Sequence, residues 1–89
     1  MRLLITLWWC GPFFFNAAEV GEATTTRSEN YAAALAEADC RSDLEAYCAD
    51  VAQVVKHVGV GEASCDLESE DGRRWWTCTI PCWGRCVDP

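Results

Sequence analysis

One turn signal, Asp71-Gly72, constrains the fold of this chain more than any other part of its sequence. The dipeptide favours a two-residue type I′ turn, because both central residues of that turn have positive φ. Folding residues 63–80 about the turn places Cys65 opposite Cys78. The sequence therefore predicts a β-hairpin whose register is set by its turn.

The predicted register sorts the hairpin side chains onto two faces, since side chains alternate along a strand. One face is apolar and the other is mostly charged or hydroxylic. A slip of one residue would expose Leu67 and bury Asp66, so the pattern supports the pairing. The apolar face carries Ala63, Cys65, Leu67, Trp76, Cys78 and Ile80, and the solvent face carries Asp66, Glu68, Glu70, Arg73, Trp75, Thr77 and Thr79.

The chain has 89 residues and seven cysteines, which indicates one small domain held by disulfide bonds. Residues 1–18 read as a secretory signal peptide, with Arg2 followed by an apolar run and with small residues before a cut after Ala18. A cut after Ala23 is the alternative. Either cut removes Cys10 and leaves six cysteines. We therefore expect a secreted protein.

Acidic residues outnumber basic ones by 14 to 7, and the formal net charge is −7. Nucleic acids and anionic membranes attract Lys and Arg, so this charge argues against nucleic-acid partners, membrane contact and a membrane-active defence peptide. We expect a monomer without a cofactor. Its expected partner is an extracellular protein, such as a receptor, a soluble mediator or a protease.

The region before the hairpin predicts a flexible arm over residues 19–27, followed by one or two helices. Two capping-box spacings start at Thr26 and Ser42, and they predict helices over Thr26–Ala38 and Asp43–His57 that either bend or run together. Gly59 or Gly61 would close the second helix. The predicted apolar stripes are Tyr31, Leu35 and Ala38 in the first helix, and Leu44, Tyr47, Cys48, Val51, Val55 and Val58 in the second.

The tail after Thr79 contains Pro81 and Gly84, which predict a loop folded back over the core. The fold class is thus a small disulfide-rich α+β domain over residues 28–89, with one or two N-terminal helices on a C-terminal two-stranded antiparallel hairpin. Two disulfide patterns fit this geometry. The first joins Cys40 to Cys78, Cys48 to Cys82 and Cys65 to Cys86; the second joins Cys65 to Cys78 and leaves Cys40 and Cys48 for Cys82 and Cys86.

A helix bridged to a hairpin resembles the general architecture of disulfide-stabilised toxins and defensins. This chain lacks the C-x-C and helical C-x3-C spacings of that family, so it is not assigned to it. The cysteines are too widely spaced for a zinc site, and the single histidine, His57, suits a helix end better than catalysis. We therefore expect neither a metal site nor an enzyme.

Residues typical of binding hot spots cluster near the hairpin, and we take Arg73, Trp75, Trp83 and Arg85 as candidates for partner binding. The expected function is a toxin-like or ligand-like effector that binds an extracellular protein stoichiometrically. The alternative is a serine-protease inhibitor that presents Arg74 or Arg85 on a disulfide-tied loop.

Overall fold

The structure is a computed structural model, and it describes residues 15–89. One helix packs on one face of a four-stranded antiparallel sheet, so the α+β, disulfide-rich class is confirmed. The predicted leader up to residue 14, with Cys10, lies outside the described residues. In chain order the elements are β1 (Ala17–Thr25), α1 (Glu29–Ala49), β2 (Val54–Val60), β3 (Ser64–Glu70) and β4 (Arg73–Val87).

The hairpin formed by β3 and β4 has the predicted turn and register. Asp71 and Gly72 have φ of 53° and 79°, as a type I′ turn requires. Each pair follows the expected order, from Glu70 opposite Arg73 to Cys65 opposite Cys78. Local turn chemistry and alternation were therefore sufficient to define this part of the fold.

The prediction of a two-stranded sheet is wrong, since the sheet has four strands. The additional strands pair with β4, which continues to Val87 where a loop was expected. One edge of β4 pairs with β1, and the other edge pairs first with β3 and then with β2. Pro81 lies between the β3 and β2 pairings, and its carbonyl accepts a bond from Gly61 N at 2.8 Å. The Pro81 nitrogen lies on this same edge of β4, at the break between β3 and β2, where no strand pair requires an N–H donor. A proline is therefore tolerated inside the strand.

Residues 19–25, expected in a flexible arm, belong to β1 and pair with β4. The outer edge of this strand is partly closed by the helix, since Glu22 N donates to Asp39 Oδ2 at 3.0 Å. A signal cut after Ala18 would leave most of β1, whereas a cut after Ala23 would remove most of it. Pairing with a distant strand orders a segment that has no apolar periodicity of its own.

The two expected helices are one continuous helix, which begins after the N-cap Ser28 and ends at Ala49. The Ser28 hydroxyl accepts from Tyr31 N at 3.1 Å, so the cap lies two residues after the predicted Thr26. At the other end, Gln53 N donates to Cys48 O at 2.9 Å and Ala52 has φ of 60°, the pattern of a Schellman motif. The predicted glycine cap is therefore wrong.

The segment expected to extend the helix to His57 forms β2 instead. Its valines are β-branched and favour a strand once a partner is available. β4 supplies that partner, with Val55 opposite Cys86 and Val60 opposite Cys82. A register shift after Lys56 leaves His57 with φ of 58° in a bulge, away from any helix end.

Small side chains form the contact between helix and sheet, and the predicted helical stripes are largely wrong. Tyr31, Leu35 and Ala38 are exposed, and so are Tyr47 and Val51. The sequence analysis predicted that large apolar side chains would pack between helix and sheet, but the helix lies too close to β1 for them. A Cβ at Gly21 would lie 2.1 Å from the Ala36 carbonyl oxygen. The buried helix residues are Ala32, Ala36, Cys40, Leu44 and Cys48, spaced four apart.

Three disulfides join these elements in the second of the two predicted patterns. They are Cys40–Cys82, Cys48–Cys86 and Cys65–Cys78. The first two tie the helix to β4, and the third lies within the hairpin. Such bonds stabilise small domains by about 2–4 kcal/mol each, and they suit an oxidising, extracellular-type environment.

Candidate functional site

All four predicted binding residues lie at odd-numbered positions of β4 and therefore share one face of the sheet. The helix covers the opposite face, where Cys78, Ile80, Cys82 and Cys86 are buried. No helix or strand of residues 15–89 packs on the odd-numbered face. We call this uncovered side the open face.

The four candidates do not form one continuous surface. Trp75 and Trp83 are eight residues apart along β4, which corresponds to about 26 Å at 3.3 Å per residue. Arg73 lies two residues before Trp75 and Arg85 lies two residues after Trp83, so the arginines are still further apart. The open face therefore has two separate sites, one around each tryptophan.

The surface around Trp75 is polar and tied together by hydrogen bonds. The indole Nε1 donates to Glu68 Oε1 at 2.6 Å, and the Thr77 hydroxyl donates to the same oxygen at 3.4 Å. Thr77 also meets Thr24 of β1, with hydroxyl oxygens 3.2 Å apart. Since its N–H is already used and its ring is partly buried, Trp75 is part of the sheet surface and does not project as an anchor.

The surface around Trp83 is apolar. The indole lies across β2, because a Cβ at Gly59 would come within 2.3 Å of its Nε1. A Cβ at Gly61 would likewise meet Pro81 Cγ at 2.8 Å. These two glycines let the rings lie close to the backbone, which restricts their movement.

On the other side of Trp83, the exposed side chains of β1 complete a shallow apolar depression. Val20 is opposite Pro81 and is 62% exposed, and Ala18 is opposite Trp83. We define the Trp83 patch as Val20, Pro81 and Trp83, with Ala18 at its edge. Exposed apolar groups of this kind, fixed on a rigid sheet, are typical of interaction surfaces.

Phe15 borders the Trp83 patch, with its ring centroid 6.1 Å from that of Trp83. It belongs to the predicted leader. Cleavage after Ala18 would remove both Phe15 and Ala18 and would expose more of the tryptophan ring. Processing would therefore enlarge the accessible indole surface and leave Val20 and Pro81 in place.

The two arginines considered for protease inhibition both lie within β4. Arg74 is opposite Ser69, and Arg85 is opposite Lys56. Arg74 is at an even-numbered position, so it is on the helix side of the sheet and not on the open face. Neither arginine is on a loop, which is where substrate-like inhibitors present their specificity residue.

The described residues contain no group of three or more His, Cys, Asp or Glu side chains arranged to hold a metal ion. Within the same part of the chain, no helix is both long enough and apolar enough to cross a membrane. His57 is exposed in the β2 bulge. The notable chemistry of the surface is thus that of its aromatic, apolar and arginine side chains.

Sequence reasoning identified Trp83 but missed the residues that surround it. Val20 was placed in a flexible arm and Pro81 in a loop, although they are opposite each other in the sheet. Gly59 and Gly61 were assigned to a helix end. Their spacing of two, beside valines at Val58 and Val60, is the signal that could have indicated a strand beneath a large ring.

Comparisons with known proteins returned no matching family model, no matching curated protein and no matching solved structure.

Proposed function

We propose that this chain is a secreted protein that acts by stoichiometric binding to an extracellular protein, and that the Trp83 patch is its contact surface. The observation that carries the proposal is an apolar, exposed patch on a sheet face that no other described element covers. Aromatic side chains held in place by their surroundings lose little conformational entropy on binding.

The disulfide framework supports the same proposal. Cys40–Cys82 lies directly beneath the patch, because Cys82 is the β4 residue between Pro81 and Trp83. A covalent link to the helix at this point holds the strand rigid. The patch is therefore presented in one conformation before a partner arrives.

Charge gives the patch its expected selectivity. The whole chain carries a net charge of −7, so long-range electrostatic attraction favours a basic partner. Arg85 and Lys56 lie beside the patch on the open face and provide the positive rim. A partner with an apolar centre and a mixed charged rim fits this arrangement.

Substitution of Val20 by Glu tests the proposal, because this side chain is 62% exposed and its removal leaves the core intact. The matched control is Val51→Glu, since Val51 is 60% exposed but lies just beyond the C-terminus of the helix. Each oxidised variant would be immobilised, and extracellular proteins retained on it would be identified and titrated. We expect Val20→Glu to weaken the capture of a specific partner by at least about tenfold, and Val51→Glu to retain it.

Equal thermal midpoints for the two variants would show that the loss is not caused by unfolding. A partner retained equally by wild type and Val20→Glu would contradict the proposed contact surface. A partner lost only with Val51→Glu would place the contact at the helix end instead.

A further inference from the structure

A second candidate site lies on the helix side of the sheet, where the hairpin extends past the start of the helix. It is a cleft of about 230 Å³ lined by Thr26, Arg27, Leu67, Arg74 and Trp76. Leu67 and Trp76 are cross-strand neighbours in the hairpin and form its apolar floor. Leu67 is 49% exposed, so this floor is accessible to solvent.

The register brings the two arginines to the same end of the cleft. Thr25 of β1 is opposite Trp76 of β4 in the last pair between these strands. Arg27 follows Thr25 by two residues and Arg74 precedes Trp76 by two, and the strands are antiparallel. Arg74 therefore lies beyond this pair on the helix side of β4. Arg27 lies in the bend that follows β1, and both arginines line the cleft together with the Trp76 indole.

Arg27 is held in an orientation suited to binding an anion. Its guanidinium carbon lies 4.5 Å from the centroid of the Tyr31 ring. Its backbone N–H donates to the Thr25 hydroxyl at 3.2 Å, which restrains the loop. This contact is with the face of the Tyr31 ring and uses no hydrogen-bond acceptor, so the guanidinium N–H groups can still donate to a carboxylate.

The Arg74 guanidinium has no partner among residues 15–89. It makes no hydrogen bond and no ion pair in this part of the chain, and the hydroxyl of Thr26 makes no hydrogen bond there. The residues that line the cleft include two cations and no carboxylate. The cleft is therefore locally cationic in a chain whose net charge is −7.

We propose that this cleft binds an extended peptide segment of a partner protein in which acidic side chains flank an apolar one. Arg27 and Arg74 donate to the carboxylates, and Leu67 and Trp76 contact the apolar side chain. The apolar floor selects against simple anions, and the overall negative charge of the chain selects against nucleic acid. The site is independent of the Trp83 patch, because the two lie on opposite sides of the sheet.

An NMR titration tests this assignment on the oxidised protein. The probe is an acetylated and amidated heptapeptide in which glutamates alternate with leucine and phenylalanine. The comparison probe replaces each glutamate with glutamine. We expect the Trp76 indole and the Leu67 amide signals to shift with the first peptide and to remain unchanged with the second at equal concentration.

Substitutions identify the groups responsible. Arg74→Gln and Arg27→Gln should each weaken binding of the acidic peptide by about tenfold, the usual effect of losing one charge-assisted hydrogen bond. Arg74→Lys should give an intermediate loss, because it keeps the charge but not the planar fork. The control is Arg73→Gln, which removes the same charge one residue away on the open face, and it should change affinity less than twofold.

Three results would overturn the proposal. Equal shifts with the glutamine peptide would show that charge is not recognised, and an equal loss with Arg73→Gln would show that attraction is non-specific. Inorganic phosphate that shifts Trp76 as strongly as the peptide would show an anion site without peptide selectivity. Arg74 and Arg27 are exposed, so a dispersed amide spectrum is expected for each variant and will confirm its fold.

Discussion

The two ends of β4 belong to one strand but are held in place differently. The hairpin end, residues 73–79, is paired with β3 along its length and with β1 over residues 76–79, and its disulfide Cys65–Cys78 links residues 13 apart in sequence. The anchored end, residues 80–87, is paired with β1 and β2 and carries two disulfides that reach 42 and 38 residues back to the helix. The helix packs on β1 and β4 and has few contacts with β3.

This difference separates local from long-range stabilisation. The pairing of the hairpin end with β3 is specified by its own turn and by neighbours close in sequence, so it can form early and with a small loss of chain entropy. The anchored end requires the whole chain to assemble. The rigid Trp83 patch belongs to the anchored end, and the cleft belongs to the hairpin end.

The largest expected effect on stability comes from removing the disulfides. Replacing both cysteines of Cys40–Cys82 by alanine should lower the free energy of unfolding by about 4 kcal/mol, against about 3 kcal/mol for Cys65–Cys78, because the longer loop restricts the unfolded chain more. Urea unfolding followed by far-UV circular dichroism measures both. A greater loss from the hairpin pair would contradict the distinction between the two ends.

A smaller effect is expected where helix and sheet approach each other. Gly21→Ala should cost about 2–3 kcal/mol, because its Cβ would lie 2.1 Å from a backbone oxygen of the helix that cannot move alone. Gly59→Ala is the matched change on the open face, where the Cβ would meet the Trp83 indole at 2.3 Å. The clashing atoms there belong to a surface side chain and not to the helix backbone, so the expected cost in unfolding free energy is lower.

Tryptophan fluorescence gives a second measurement for this pair of glycine variants. Gly59→Ala should shift the emission towards that of an exposed indole, whereas Gly21→Ala should lower the unfolding midpoint. The reverse assignment would mean that the close contact between Gly21 and Ala36 does not hold the helix on the sheet.

The smallest effect is expected at the tip of the hairpin. Gly72 has φ of 79° and no heavy atom within 4 Å of an added Cβ, so Gly72→Ala carries only a conformational cost of about 1 kcal/mol. Gly72→Asn is the control and should cost less, because asparagine tolerates this conformation better. A loss as large as that of Gly21→Ala would indicate that the turn makes contacts beyond its own backbone.

The sequence was sufficient for features set by neighbouring residues. Asp71-Gly72 and the alternation around it predicted the hairpin register, the proximity of Cys65 to Cys78 and the face on which Trp75 lies. The binding candidates chosen by residue type included Trp83, but the sequence could not show that they form two separate sites. Their separation became evident only once β4 was seen to continue through Pro81.

The misassigned segments share one physical cause. Val51, Val55 and Val58 fit a helical period. In β2, Val55 and Val58 lie on the same face only because the bulge at His57 shifts the register, and a local pattern does not predict such a bulge. Residues 19–25 have no pattern of either kind. In both cases β4 supplies the hydrogen-bonding partner, and pairing with a distant strand overrides local propensity.

By itself the sequence determined the turn, the hairpin pairing and the α+β class, because each depends on residue identity or on spacing over a few residues. It left two disulfide patterns open, and the structure decided between them. The tertiary structure decided where the helix ends, which segments join the sheet and which apolar side chains remain exposed. Those features depend on how closely α1 approaches β1 over Gly21 and Ala36, and on which residues β4 pairs with along its length. Both are properties of the packed chain.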